Sequence, residues 1–255
     1  MQLREGSVPI LVSRALPPPF GHAFTTRIGG VSTGICSSLN VANRDGDPRE
    51  NVYENRRRAC AAAEANGARL TSANQVMGAG VVRVTSDMIG NAAGPGRPIP
   101  RADALITNEP DVPLLTYSAD CCLTLIADPV RRAVASVHAS RAGAHAQILR
   151  AAVDAMAHEF QSAPADLIAI VGPTLCAKCH ELDGAELDKW RGSPHLEGRH
   201  LDLESAVAAQ LESAGVGTMD RSGRCTRCDG VHFFSHRRDG EATGRFGGLI
   251  WVRPL

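Results

Sequence analysis

Two spacings order the apolar residues of this chain. Ile148, Leu149, Ala152, Val153 and Met156 recur every three or four positions and so share one face of a helix. Leu203, Val207 and Leu211 repeat the pattern before Gly215. Asp47-Pro48-Arg49-Glu50 reads as N-cap, N1 proline and capping-box glutamate, opening a third helix whose polar face carries Arg56 to Arg58 and which stops near Gly67. Between these segments lie short β-rich runs at Val81–Val84, Asp103–Thr107, Val112–Tyr117, Cys122–Ala127, Ala133–His138, Leu167–Val171, Val231–Ser235 and Leu249–Val252. Asn91 to Pro100 reads as a loop. Many strands and few helices, interleaved, predict an α/β or α+β architecture with at least one extensive sheet. No repeat and no long Pro/Gly/Ser stretch divides the sequence, so residues 1–255 read as one domain.

Composition narrows the function classes. The chain has 255 residues, 44% of them hydrophobic, enough for a sizeable core. Its 27 Lys and Arg balance 27 Asp and Glu. With no net charge and interspersed signs, nothing draws it to a phosphate backbone or an anionic membrane surface, and neither partner is expected. The only apolar run before Pro17, Pro18 and Pro19 is Val8–Val12, too short for a signal-peptide core or a membrane span. A soluble cytoplasmic protein is expected, with its eight cysteines reduced and serving as core residues, metal ligands or a nucleophile.

Chemistry concentrates around Ser118-Ala119-Asp120-Cys121-Cys122 and the strand ending in His138-Ala139-Ser140-Arg141-Ala142-Gly143. A cysteine at one strand junction and a histidine at the end of the next can converge at one sheet edge. That arrangement suits a zinc site or a Cys–His nucleophile pair, with an anion held by free backbone N–H groups of the following helix. The bland reading is two buried cysteines and a strand-end histidine without a role. Cys176-Ala177-Lys178-Cys179 and Cys225-Thr226-Arg227-Cys228 form two C-x-x-C knuckles, which make a four-thiolate structural zinc site if the fold joins them and two unrelated thiol pairs if it does not. Cys176 to His180 also mimics a haem-attachment motif, but no export signal accompanies it and haem is not expected. The nine histidines contain no His-x-His pair of the sort a multicopper cluster uses, so copper is not expected either.

The run Phe24-Thr25-Thr26-Arg27-Ile28-Gly29-Gly30-Val31-Ser32, with Ser38-Leu39-Asn40, Gly46-Asp47-Pro48 and Glu54-Asn55-Arg56-Arg57, resembles the opening of the YfiH family. These are the laccase-domain proteins, also called peptidoglycan editing factor or polyphenol oxidase. The resemblance continues in order through Gln75-Val76-Met77-Gly78, Ala102-Asp103-Ala104, Ala119-Asp120-Cys121, Asp128-Pro129, His138-Ala139, Gly172-Pro173, Glu181, Phe234 to Gly240 and Thr243-Gly244-Arg245.

The resemblance implies a single α/β/β/α layered domain with mixed sheets, related to a cysteine-hydrolase-like fold. It further implies a zinc-dependent enzyme that phosphorolyses adenosine, inosine, guanosine and methylthioadenosine and deaminates adenosine, or one that edits serine out of a cell-wall precursor. Its metal would be held by a histidine in Gln-Val-His-Gly, by Cys121 and by His138. Met77 stands at the first position, and a neutral thioether is a poor zinc ligand. Ser140, Arg141 and Ala142 stand where the family carries Gly, Trp and Arg. Three accounts follow: Cys122 or His145 completes a rearranged site, Arg141 takes over the displaced cationic role, or the chain is an inactive ligand-binding paralogue. A metal-free hydrolase or amidase with Cys121 as nucleophile and His138 as base is a further alternative. On these grounds Cys121, His138 and Asp120 are candidate catalytic residues, Asp120 by orienting a ligand or merely by capping its own turn. Arg27, Asn40, Arg141, Gly143 and Arg238 are candidate sites for purine nucleoside and phosphate, in a monomer or small homo-oligomer.

Overall fold

A computed structural model describes residues 1–254. One mixed sheet runs in the order β1 (Gln2–Arg4), β2 (Ile10–Val12), β3 (Phe20–Thr25), β14 (Phe246–Val252), β7 (Leu114–Ser118) and β4 (Thr71–Ser72). The second runs β13 (Thr218–Arg221), β10 (Ile168–Val171), β8 (Cys122–Asp128), β9 (Ala133–Ala139), β6 (Ala104–Thr107) and β5 (Val81–Arg83). A small ribbon pairs β11 (Leu196–Glu197) with β12 (His200–Leu201). The helices are α1 (Arg49–Ala63), α2 (Arg141–His145), α3 (Ile148–Phe160), α4 (Gly184–Trp190), α5 (Leu203–Ser213) and α6 (His236–Asp239).

Strand alternation builds the layers. Along β8, Leu123, Leu125 and Ala127 face the first sheet, where they meet Phe24, Leu114, Phe246 and Ile250. Cys122 and Ile126 of the same strand face α3 and α5. In β7, Leu114 points between the sheets while Leu115 points out to Ala59, Cys60 and Ala63 of α1. Each sheet is therefore buried on both faces, which is why its strands read as continuous apolar runs. The order of layers is α1, sheet, sheet, α3 with α5: the α/β/β/α arrangement that the resemblance implied.

Four local expectations are corrected. Pro48, not Asp47, is the residue flanking α1, and Asp47 accepts from Ser32 Oγ at 2.7 Å and Asn40 Nδ2 at 2.6 Å instead of capping the backbone. The helix ends at Ala63, with Glu64 in the left-handed region at φ 60°. Arg56 turns inward, donating to the carbonyls of Val41 and Ala92, because its register on α1 faces the core. Val231–Ser235 is a turn leading into α6: Phe233 and Phe234 fill the space between the sheets without pairing as a strand, and Val231 is exposed. Among the described residues no helix is long and apolar enough to cross a membrane.

Candidate functional site

At the end of β9, His138 faces the loop after β4 and the turn before β8. Its backbone N–H donates to the Asp103 carbonyl at 2.7 Å, and its Nδ1 lies 2.9 Å from Asp103 Oδ1. Asp103, at the start of β6, is fully buried, and its carboxylate also accepts the backbone N–H groups of Val76, Met77 and Gly78 at 3.2, 3.0 and 2.8 Å. Burial opposes its charge, but these donors and His138 hold the carboxyl below its usual range. The Cys121 thiol lies within electrostatic reach of the same imidazole. Burial again works against the charged ring; Cys121 and Asp103 outweigh it and push His138 up to about 9. Thiol, imidazole and carboxylate thus stand in series, with the imidazole orientation set by a buried carboxylate.

The Cys121 turn is fixed tightly. Asp120 adopts φ 96°, where a side chain is strained, and every oxygen it offers is engaged. Oδ1 accepts from Thr226 Oγ1 at 2.6 Å and Oδ2 from the Arg237 N–H at 2.6 Å. Its carbonyl accepts from Thr174 Oγ1 at 2.7 Å and Leu175 N at 3.2 Å. Ser118 Oγ donates to the Cys121 carbonyl at 2.8 Å.

The remaining sequence candidates separate into two groups. Arg141 lies within electrostatic reach of His180 and Glu186, on the side of α4. Arg27 spends its guanidinium on the Ser37 carbonyl, stacks 4.7 Å over Phe234 and approaches Asp239 at 3.8 Å. Asn40 is fully buried, donating to the Ala42 carbonyl and to Asp47 and accepting from Arg245 N. Arg238 donates to the carbonyls of Thr226, Arg227 and Phe233 and pairs with Asp239. Ser140 caps α2 by accepting the Gly143 N–H at 2.9 Å, so Gly143 sits inside the first turn and its N–H is already used. A Cβ at Gly143 would stand 2.8 Å from the Gly78 carbonyl, so only glycine lets α2 close on the Met77 loop. Cys122 is sealed in the core, where burial pushes its thiol up to about 12, and His145 leans edge-on against Trp190 at 5.8 Å.

Three sets of residues were not singled out by sequence as site residues. Asp103 lay unremarked inside Ala102-Asp103-Ala104; the signal was a carboxylate bracketed by alanines at a strand start. Arg245 lies within electrostatic reach of Cys121 and Asp120, and burial foremost lowers it; its guanidinium donates to the carbonyls of Thr243, Gly244 and Glu241, and Arg44 donates to the Glu241 carbonyl. Gln75 clamps Tyr117 in both directions, its Nε2 donating to the Tyr117 carbonyl and its Oε1 accepting the Tyr117 N–H, each at 2.9 Å. Two open clefts of about 540 and 610 Å³ lie elsewhere, against the two sides of α1.

The donors present do not make the three-ligand zinc site that the resemblance implies. Cys121 and His138 are adjacent, but Met77 is 61% exposed, with φ 59° and its N–H tied to Asp103. A complete donor set exists on the other side of Asp120. Cys176, Cys179, Cys225 and Cys228 bring their sulfurs within 4.8 Å of one another, an arrangement that can bind a metal.

The model of a family described as multi-copper polyphenol oxidoreductase laccase matches residues 21–253. A purine nucleoside phosphorylase of Streptomyces coelicolor is 38% identical over 236 residues, covering 90% of this chain and 94% of its own. One from Deinococcus radiodurans is 38% identical over 251 residues, covering 95% and 92%. The crystal structure of YlmD from Geobacillus stearothermophilus superposes with a TM-score of 0.91 at 31% identity, covering 99% of this chain and 98% of that one. The ordered motifs, the paired sheets and these likenesses agree: the chain belongs to the YfiH-type laccase-domain family.

Proposed function

We propose that this protein is a purine nucleoside phosphorylase acting at the Cys121–His138–Asp103 corner. The observation that carries the reading is end-to-end similarity to enzymes of that name in a chain whose His138 is hydrogen-bonded to Asp103 and lies within electrostatic reach of Cys121. Phosphorolysis forms a bond from a phosphate oxygen to C1′ of the ribose and breaks the bond from C1′ to the purine. It therefore needs an anion site and a proton for the departing base. Arg245, within electrostatic reach of Cys121, supplies the positive charge. His138, fixed at Nδ1 by Asp103, carries the proton on its other nitrogen and passes it to the purine. No step requires a metal at this corner, because the donor set is one short.

A second reading rests on the same series of groups. Cys121 as nucleophile, His138 as base and Asp103 as orienting carboxylate would serve a hydrolase or amidase. The test is product analysis after incubation with adenosine, with and without phosphate. Adenine with ribose 1-phosphate, formed only with phosphate, is the expected result. Inosine formed without phosphate would instead assign deamination. Absence of any nucleoside product, together with amide hydrolysis abolished by iodoacetamide and untouched by chelators, would replace the proposal with the second reading.

A further inference from the structure

The two C-x-x-C knuckles are built into one corner from distant parts of the chain. Cys176 and Cys179 flank a 3-10 turn at Ala177–Cys179, after β10, and Cys225 and Cys228 flank a turn after β13. An isolated parallel bridge joins Thr174 to Cys225, with Thr226 N donating to the Thr174 carbonyl at 3.1 Å and Thr174 N to the Arg224 carbonyl at 3.2 Å. The sulfurs of Cys179 and Cys228 approach to 3.5 Å, and Cys176 N–H donates to Cys225 Sγ at 3.3 Å. Four thiolates around one zinc at ~2.3 Å stand roughly 3.8 Å apart, close to the spacing already present without an ion. Cys228 is exposed, which leaves an entry path.

We propose that Cys176, Cys179, Cys225 and Cys228 bind one zinc ion as a tetrathiolate, and that this ion positions Cys121 through Asp120. Zinc is favoured over oxygen-seeking cations because all four donors are soft sulfurs at tetrahedral spacing. Without a cation the sulfurs oppose one another's ionisation.

The link to Cys121 is short. Thr226, inside the second knuckle, donates to Asp120 Oδ1, and Leu175, immediately before the first, donates to the Asp120 carbonyl. Arg238 holds the second knuckle by the carbonyls of Thr226 and Arg227. Asp120 at φ 96° keeps its strained geometry only while these partners stay in place, and Cys121 is the next residue. The metal thereby acts on Cys121 as a positioning element through two parallel hydrogen bonds to Asp120.

The test uses the full chain loaded with zinc and dialysed. Elemental analysis is expected to give one zinc per chain in the native protein and in Cys121→Ser, and less than about a tenth of that in Cys179→Ser/Cys228→Ser. Replacement by cobalt is expected to give the strong thiolate-to-cobalt charge transfer of a tetrahedral tetrathiolate. No stoichiometric zinc in the native chain, a disulfide between the knuckles after purification under reducing conditions, or zinc lost in Cys121→Ser but kept in the double variant would overturn the metal site. Positioning is read by the rate at which iodoacetamide labels Cys121, followed on its own peptide, so that it does not depend on the substrate. Thr226→Val is expected to keep its zinc yet slow Cys121 labelling by about tenfold, the factor typical of losing one partner behind a reactive group, with Thr226→Ser restoring it. An unchanged labelling rate in zinc-loaded Thr226→Val would overturn the link to Cys121.

Discussion

The two sulfur-bearing corners on either side of Asp120 contrast in how they are finished. At Cys121 the groups are chemically unlike: a thiol, an imidazole and a carboxylate in series, with Arg245 within electrostatic reach. At Cys176, Cys179, Cys225 and Cys228 the groups are all alike and converge on one point. Unlike groups in series can pass a proton, because each stabilises a different charge state of its neighbour. Like groups converging on a point repel when ionised and call for a cation. Asp120 joins the two corners: its backbone carries Cys121, while its oxygens are held by Thr226 of one knuckle and by Thr174 and Leu175 just before the other.

The largest effect that would break this contrast is at His138. His138→Ala is expected to lower kcat/KM for phosphorolysis by about 10³-fold, within the span of general acid–base contributions, while the zinc content stays unchanged. A residual rate near that of the native protein would remove the proton-transfer role. Asp103→Asn comes next: it weakens the acceptor for three backbone N–H groups and His138 and should cut kcat by about 10²-fold. Circular dichroism should show the fold intact, and a loss of structure instead would make Asp103 a purely architectural residue.

Smaller again, Arg245→Lys should raise KM for phosphate by about tenfold with kcat little changed, since a point charge replaces a planar fork. An unaltered KM would move the anion site away from Arg245. The smallest effect lies outside both corners and separates fold stability from site chemistry. His22 Nε2 accepts the Ser13 N–H at 2.8 Å, so the ring must stay neutral there, and burial foremost lowers it to about 4 from 6.5. The unfolded chain therefore takes up the proton first, and stability falls as pH drops from 6.5 towards 4. Urea midpoints across that window should fall less steeply in His22→Gln; identical slopes would show that His22 does not contribute.

Much of this was legible in the sequence where the signal is local. The faces of α3 and α5 follow from apolar spacing alone, and most of the central strands from β-rich runs that two buried faces require. The edge strands β1, β4 and β13 were not, because Gln2–Arg4, Thr71–Ser72 and Thr218–Arg221 contain no apolar run to read. Val231–Ser235 failed for a different reason: Phe233 and Phe234 are buried by position in the core, not by pairing. At the site, Cys121 and His138 stood out as chemistry-bearing types. Arg27, Asn40 and Arg238 stood out equally, and their hydrogen bonds turn out to be spent within the protein.

The sequence by itself determined the layered α/β character, the family, the Cys121 and His138 pair and the missing first donor at Met77, because each depends on residue type and order along the chain. Only the tertiary structure decided that Asp103 stands behind His138, that Arg245 lies within electrostatic reach of Cys121, and that the two knuckles meet. Those facts are contacts between residues far apart in sequence, fixed by strand register and sheet packing, and no local pattern encodes a distance of that kind.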